Sequence, residues 1–238
     1  MLNLYFQMKI IRKQFWHVLF LAGFLSLIFF FINKEPTLLI GKLWNINTED
    51  WFYLTLLIPV IHQVYVLFCW RTELYYNSIS KAFGEKGFKL YKIGFAILIL
   101  SRPVSITLLA ISNSWTMQIP VELSYLLSLI LFVPAAYLFY SVKKFFGMDR
   151  AFGIDHFEPN KFKNIPFVKK GIFKYTSNGM YIFGFFILWI PGVLLQSKAA
   201  LLLALFNHLY IWVHYYFTEL PDIKDIYNNK NNGVSYTE

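Results

Sequence analysis

Long uninterrupted apolar blocks are the feature of this sequence that most constrains its fold. Each block has about the length that an α-helix needs to cross a bilayer, roughly 20 residues. The six blocks are Phe15–Ile32, Trp51–Trp70, Ile93–Ser112, Val121–Val142, Asn178–Gln196 and Ala199–Thr218. A soluble domain would mix charged residues into such stretches, whereas 57% of the 238 residues here are hydrophobic and 15% are charged. We therefore expect an all-α integral membrane protein with about six transmembrane helices.

The basic residues are distributed unequally between the loops. Only Lys34, Lys42 and Lys198 lie in the loops on one side, and all other basic loop residues lie on the opposite side. Because basic loops stay on the cytosolic side of a membrane, both termini and the two long loops are predicted to be cytosolic. The membrane is predicted to be a bacterial inner membrane or the endoplasmic reticulum.

The same asymmetry accounts for the formal net charge of +9, so nucleic-acid binding is not expected. Cys69 is the single cysteine, which excludes a disulfide framework and a cysteine-based metal site. The histidines do not show ligand spacing on one helix face, and no bound metal is expected.

Polar and aromatic residues are concentrated in the last two predicted spans. In the sixth span, His208, Trp212, Tyr215 and Glu219 are spaced 4, 3 and 4 residues apart, which places them on one helix face, while His214 falls on another. The fifth span offers a matching face, with Gly184 allowing close approach: Asn178, Tyr181, Phe185 and Leu188. These groups either bond one another across the helix pair or line a functional site, since polar groups in a membrane need partners.

The loop between Lys143 and Lys174 is too long for a simple turn. Loops of this length are usually functional or disordered, and the regular Phe, Ile and Val residues favour order. It contains Asp155-His156-Phe157-Glu158, in which His156 or Glu158 could serve as a general base. The alternative is a helix-capping turn beside the membrane.

Arg102, followed by Pro103, lies in the middle of the third predicted span with no acidic residue at matching depth. His62 and Gln63 lie at a similar depth in the second span. An intramembrane arginine indicates a functional role by default, here binding of a substrate phosphate. The alternatives are that Arg102 caps carbonyls freed by Pro103 or reaches a polar cavity.

The segment from about Ala151 to Tyr227 resembles the phospholipid and isoprenylcysteine methyltransferase superfamily of integral membrane enzymes. The resemblance rests on Gly171-Ile-Phe-Lys-Tyr175, a polar triplet and Met180-Tyr181 before one span, and on Glu219-Leu-Pro221 with Tyr227 after the next. The chain departs from the pattern at Ser177-Asn178-Gly179, where many members carry Arg-His-Pro. It also has Leu220 where many members carry a second glutamate.

The resemblance implies S-adenosylmethionine as cofactor, bound between the last two spans and the C-terminal segment. It implies that Tyr175, Asn178, Tyr181, His208 and Glu219 line the cofactor pocket; Gly184, Trp212 and Tyr215 are added on the faces described above. Aromatic rings suit a sulfonium cation, and a carboxylate suits an ammonium group or ribose hydroxyls. His156, Glu158 and Glu219 are the catalytic candidates, and Arg102 is the candidate for substrate binding.

These features predict four regions. Residues 1–7 resemble a tag remnant, residues 8–142 hold four spans, residues 143–227 hold the catalytic loop, the last two spans and the cofactor segment, and residues 228–238 form a polar tail. The predicted activity is methyl transfer to an amphiphilic acceptor at the cytosolic membrane face, with a phospholipid headgroup amine favoured. A prenylcysteine carboxylate, a small thiol, nicotinamide-dependent reduction and non-catalytic lipid binding or transport are the alternatives.

Overall fold

The computed structural model describes residues 9–227 and consists almost entirely of helices. The tag-like residues 1–7, Met8 and the polar tail 228–238 lie outside the described residues. The α-helices are α1 (Gln14–Lys34), α2 (Thr48–Tyr76), α3 (Ser78–Phe83), α4 (Gly87–Ser112), α5 (Val121–Ser141), α6 (Met148–Ala151), α7 (Pro159–Phe162), α8 (Gly179–Phe183), α9 (Phe186–Leu194), α10 (Lys198–His214) and α11 (Leu220–Tyr227). Two short strands, β1 (Lys42–Leu43) and β2 (Ile46–Asn47), pair antiparallel between α1 and α2.

Shorter helical turns connect these elements. The 3₁₀ turns are Pro36–Leu39, Gly84–Lys86, Ile154–His156 and Gly171–Lys174. The π-helical turns are Val142–Phe146, which extends α5, and Tyr215–Glu219, which joins α10 to α11. The second π turn includes Tyr215 and Glu219 of the predicted polar helix face. It therefore changes the angular spacing of these residues from that of a regular α-helix.

Within residues 9–227, five helical stretches are long and apolar enough to cross a membrane. They are Gln14–Lys34, Thr48–Tyr76, Ser78–Ser112, Val121–Phe146 and Lys198–Tyr227. The all-α membrane fold expected from the sequence is confirmed. The fifth predicted span differs, because the apolar stretch Gly179–Leu194 is shorter and is interrupted between α8 and α9.

The outer surface of the bundle is apolar, as a lipid-facing surface requires. Large side chains such as Leu100 and Val104 are more than half exposed. The main core instead lies between α1, α2, α4 and α10, where Phe52, Leu109 and Leu203 are fully buried. Each long helix therefore buries one face in the bundle and turns another toward lipid.

Polar contacts tie the helices together at both ends of the bundle. At one end, the Asn113 side chain donates to the carbonyls of Thr37 and Ile40, each at 2.9 Å, and accepts from the Ser197 hydroxyl at 3.0 Å. At the other end, Arg71 donates to the carbonyls of Ile10 at 2.6 Å and Arg12 at 2.8 Å.

We call the second the His156 end, because it also holds the turn that carries His156. The N-terminal segment, the end of α2, the loop after α5 and the C-terminal segment all meet there. Helices that cross the membrane in alternating directions bring these four segments to the same end of the bundle.

Candidate active site

Tyr181, Trp212, Tyr215 and Glu219 come together near the His156 end, and we call them the Tyr181 cluster. The ring centroid of Tyr181 lies 4.8 Å from that of Tyr215 and 5.6 Å from that of Trp212. The Tyr181 hydroxyl lies beside the Glu219 carboxylate. Three aromatic rings and one carboxylate thus meet where α8 packs against the end of α10.

The π turn from Tyr215 to Glu219 shapes this cluster. An α-helix would place these residues on the 3.6-residue period that the sequence suggests, but α10 ends at His214 and the wider turn follows it. Tyr215 and Glu219 nevertheless both face Tyr181. The predicted grouping is present, although the helix geometry that produces it differs from the expected one.

The other predicted cofactor residues lie at varying positions around the cluster. His208 lies further along α10, where its Nδ1 accepts a hydrogen bond from Trp189 Nε1 at 3.1 Å and its ring lies 5.8 Å from that of Phe185. Asn178 directly precedes α8, and its backbone N–H donates to the Thr176 hydroxyl at 3.1 Å.

Two predicted residues do not form part of the cluster. Tyr175 is 77% exposed. A Cβ added at Gly184 would lie 3.1 Å from Leu138 Cδ2, so the close approach that this glycine allows is to α5 and not to α10. The structure therefore groups Tyr181, Trp212, Tyr215 and Glu219 more closely than the rest.

A buried ion pair that is not predictable from the sequence lies beside the cluster. Arg71 Nε lies 3.2 Å from Asp222 Oδ1, and both side chains are 0% exposed. Arg71 also donates to the Phe217 carbonyl at 3.1 Å, next to the π turn. The ion pair thus joins the end of α2 to α11 and to the turn that carries Glu219.

His156 links this ion pair to the loop after α5. Its Nδ1 lies 3.1 Å from Asp155 Oδ1, its Nε2 lies 3.8 Å from Asp222 Oδ2, and its ring stacks on Trp70 with centroids 4.1 Å apart. Burial lowers the pKa of His156, but the hydrogen bond and charge of Asp155 and the charge of Asp222 outweigh burial and raise it.

Asp155 is held from two sides. Its Oδ2 accepts a hydrogen bond from the Tyr227 hydroxyl at 3.0 Å, while Oδ1 faces His156. Burial raises the pKa of Asp155, but the hydrogen bonds and charge of His156 and the Tyr227 hydroxyl outweigh it and lower the pKa. The loop after α5 is thereby joined to the end of α11.

The third catalytic candidate, Glu158, lies apart from these groups. Its side chain is exposed and pairs with Lys161 at 2.7 Å, one turn along α7. His156 and Glu158 are two residues apart in the sequence, yet the loop buries the first and leaves the second in solvent. Of the predicted catalytic residues, the structure brings His156 and Glu219 to the site region.

Arg102 lies in the bundle interior on α4. It is 2% exposed, its Nη2 donates to the Pro59 carbonyl of α2 at 3.5 Å, and its guanidinium lies 5.6 Å from the Phe185 ring centroid. The contacted carbonyl thus belongs to α2 and not to the turn that precedes Pro103.

Within residues 9–227, no group of three His, Cys, Asp or Glu side chains is placed to hold a metal ion. The residues that sequence reasoning missed are Trp70, Arg71 and Asp222. Asp222 directly follows the Glu219-Leu-Pro221 motif, which was a usable signal. Arg71 has the sequence position of a basic loop residue at the end of a span, and that position does not indicate its burial.

Comparison with known proteins finds one family model that is similar to the C-terminal half of the sequence. Residues 123–230 match the family model of phospholipid methyltransferases. No curated protein and no solved structure matches the chain. The match begins in the first turn of α5, extends through α11, and includes both the Tyr181 cluster and His156. Over these residues, which are less than half of the chain, this integral membrane protein is similar to the phospholipid methyltransferase family, in agreement with the resemblance of its motifs.

Proposed function

We propose that this protein transfers a methyl group from S-adenosylmethionine to an amphiphilic acceptor at the membrane surface, and that the acceptor is a phospholipid headgroup amine. The observation that carries the proposal is the Tyr181 cluster, in which three aromatic rings and a carboxylate converge inside the segment that matches the family. The same site could in principle methylate a prenylcysteine carboxylate or a small thiol, and the experiment below separates these acceptors.

The residues of the cluster fit the chemistry of the cofactor. When bound, S-adenosylmethionine supplies a methyl group attached to a positively charged sulfur. The rings of Tyr181, Trp212 and Tyr215 are suited to hold a cation through their faces. Glu219 is suited to accept charge-assisted hydrogen bonds from an ammonium group or from ribose hydroxyls. Methyl transfer needs mainly positioning and exclusion of water, to which the aromatic side chains of the cluster are suited.

His156 is the proposed acceptor of the proton that an amine must lose before methylation. Asp155 holds its Nδ1, and its Nε2 lies 3.8 Å from Asp222 Oδ2, beyond hydrogen-bond distance. An imidazole oriented by a carboxylate, with no hydrogen bond at its second nitrogen, is a common arrangement for a general base. Glu158 is less suited to this role, because it lies in solvent beside Lys161.

We assign the His156 end of the bundle to the cytosol. The basic residues of the N-terminal segment and of the loops after α2 and α5 lie at this end, in agreement with the positive-inside rule. The lysines of the loop after α5 would also attract anionic lipid headgroups, at about 1 kcal/mol each. The membrane is proposed to be a bacterial inner membrane or the endoplasmic reticulum.

The test is methyl transfer by the purified protein to defined acceptors. The protein is incubated with methyl-labelled S-adenosylmethionine and with vesicles that contain phosphatidylethanolamine, with a prenylated cysteine, or with a small thiol. We expect label in the phosphatidylethanolamine fraction, and loss of that label in Glu219→Gln. Glu158→Gln is the matched control. Glu158 is an exposed carboxylate outside the Tyr181 cluster, so this variant should retain transfer. Transfer to none of the three acceptors by folded protein contradicts the proposal.

A further inference from the structure

The π turn at Tyr215–Glu219 receives hydrogen bonds from side chains of the N-terminal half of the chain. In an α-helix, the Phe217 carbonyl would accept a hydrogen bond from the backbone N–H four residues later. That position is Pro221, which has no N–H. The Phe217 carbonyl accepts instead from Gln14 Nε2 at 3.0 Å and from Arg71 Nη2 at 3.1 Å. Two side chains from other helices therefore supply the donors that the proline cannot supply.

The start of α1 contacts the same turn in two further ways. Gln14 Nε2 also donates to the Thr218 hydroxyl at 3.4 Å. The ring of Phe20 on α1 stacks on the ring of Phe217, with centroids 5.5 Å apart. Thr218 is 0% exposed, and Glu219 follows it directly in the chain. The start of α1 thus packs against the two residues that precede Glu219.

Arg71 donates through all three nitrogens of its guanidinium. Nε lies 3.2 and 3.3 Å from the two carboxylate oxygens of Asp222. Nη1 donates to the carbonyls of Ile10 at 2.6 Å and Arg12 at 2.8 Å, while Nη2 donates to the Phe217 carbonyl. A guanidinium presents its donors in a rigid planar fork, whereas a lysine ammonium is a compact charge on a flexible stem. The contacts of Arg71 in three directions therefore depend on its shape as well as its charge.

The Arg71 guanidinium connects the two proposed functional residues, Glu219 and His156. Phe217, whose carbonyl accepts from Arg71, lies two residues before Glu219. Asp222, whose carboxylate pairs with Arg71, lies with its Oδ2 3.8 Å from His156 Nε2. A change at Arg71 is therefore expected to displace both groups at once.

We propose that Gln14 and Arg71 are positioning residues of the cofactor site, because they hold the π turn in the conformation that places Glu219 beside Tyr181. Neither residue belongs to the Tyr181 cluster, and both act through the backbone of the turn. They lie on α1 and α2, outside the residues 123–230 that match the family model. The assignment rests on the proposed function for the identity of the cofactor, S-adenosylmethionine.

The first measurement examines the turn without any cofactor. Hydrogen–deuterium exchange is compared in detergent between the purified full-length wild type, Gln14→Leu and Arg12→Gln. Gln14→Leu removes the amide that donates to the Phe217 carbonyl, so we expect faster exchange of the backbone amides in residues 215–222. Arg12→Gln is the control, because this partly exposed side chain pairs with Asp225, and exchange of residues 215–222 should be unchanged. Wild-type exchange of these amides in Gln14→Leu would overturn the proposal.

The second measurement is the affinity of the same variants for S-adenosylmethionine, by calorimetry. We expect Gln14→Leu to weaken binding by about 2- to 10-fold, the range for a neutral hydrogen bond. Arg12→Gln should bind as tightly as the wild type. Thermal unfolding of the same samples separates positioning from stability. A purely structural role of Gln14 would lower the thermal midpoint and leave the affinity of the folded protein unchanged, which would overturn the proposal.

Arg71→Lys tests the shape of the guanidinium. Lysine keeps a positive charge beside Asp222 but does not reproduce donors in three fixed directions. We expect the affinity for S-adenosylmethionine to fall by about 10- to 100-fold, the range for hydrogen bonds that involve a charged group. Wild-type affinity in folded Arg71→Lys would overturn the proposal. If Arg71→Lys does not fold, Gln14→Leu still decides, because Gln14 is uncharged and only partly buried.

The two measurements distinguish failure of this proposal from failure of the proposed function. If Gln14→Leu speeds exchange of residues 215–222 but the folded wild type does not bind S-adenosylmethionine, the hold on the turn is supported and the proposed methyl transfer fails. If the wild type binds S-adenosylmethionine and Gln14→Leu changes neither exchange nor affinity, the proposed function stands and the positioning role is overturned.

Discussion

Arg71 Nε on α2 lies 3.2 Å from Asp222 Oδ1 on α11, and neither side chain is exposed. The two residues are 151 positions apart in the chain. Arg71 also donates to the carbonyls of Ile10, Arg12 and Phe217. One guanidinium therefore joins the N-terminal segment, the end of α2 and the C-terminal segment beside the Tyr181 cluster.

Asp222→Asn is expected to destabilise the protein by about 3–5 kcal/mol, because it leaves the buried Arg71 charge unpaired. The measurement is thermal unfolding of the purified protein in detergent. Asp225→Asn is the matched control: Asp225 lies one turn away, is partly exposed and pairs with Arg12 at 3.2 Å. A surface pair of that kind contributes about 0–1 kcal/mol. Equal destabilisation by the two substitutions would show that the buried pair has no special role.

The stability contributed by His156 is expected to fall as pH rises. The folded-state pKa of His156 is raised, so its contribution is fully present below about pH 6.5, the unfolded value, and is lost as pH rises through the folded value. The thermal midpoints of wild type and His156→Gln should therefore differ most near pH 6 and converge toward pH 9, both approximate limits. Asp155→Asn removes the partner that most raises this pKa and should flatten the dependence. A difference that grows with pH would contradict this account.

Gly153 is expected to be essential for the stacking of His156 on Trp70. It has φ of +83°, and a Cβ there would lie 2.5 Å from Trp70 Cε2. Gly153→Ala should therefore displace Trp70, change the tryptophan fluorescence and weaken the pH dependence assigned to His156. Gly147→Ala is the control, because Gly147 also has positive φ, +95°, but a Cβ there meets no atom within 4 Å. Both variants carry a backbone cost of about 1–3 kcal/mol, so only the fluorescence and pH effects should distinguish them.

The membrane fold was predictable from the sequence because the apolar blocks alone determine it. Helix length and the absence of charge identify a span without any knowledge of its neighbours. The shortened fifth span was less predictable, since its apolar run continues through Gly184 and Phe185, where the structure breaks the helix. The π turn at Tyr215–Glu219 was also not evident, because its residues are compatible with a regular helix.

The sequence predicts some residues of the candidate site and not others, for different physical reasons. Trp212, Tyr215 and Glu219 have helical spacing in the sequence, which predicts one shared face. In the structure a π turn carries Tyr215 and Glu219, and both still face Tyr181 on α8. Arg71 and Asp222 are brought together by packing between segments far apart in the chain, and a basic residue at a span end usually faces water or headgroups. Their ion pair therefore required the tertiary structure.

In the loop after α5, sequence alone also does not distinguish two candidate residues that lie close together in the chain. His156 and Glu158 look equally suited to act as a base in the sequence. The 3₁₀ turn at Ile154–His156 directs the imidazole against Trp70, and α7 turns Glu158 outward to Lys161. The choice between them depends on loop conformation, which residue type does not specify.

Calorimetric binding of S-adenosylmethionine to the purified, folded protein tests the central claim most directly, with NADPH as the control ligand. The account predicts saturable binding of S-adenosylmethionine and none of NADPH. It predicts that Glu219→Ala abolishes this binding without unfolding the protein and that Glu158→Ala retains it. Failure of the folded wild type to bind S-adenosylmethionine, or unchanged affinity in Glu219→Ala, would contradict the assignment of the Tyr181 cluster as the cofactor site.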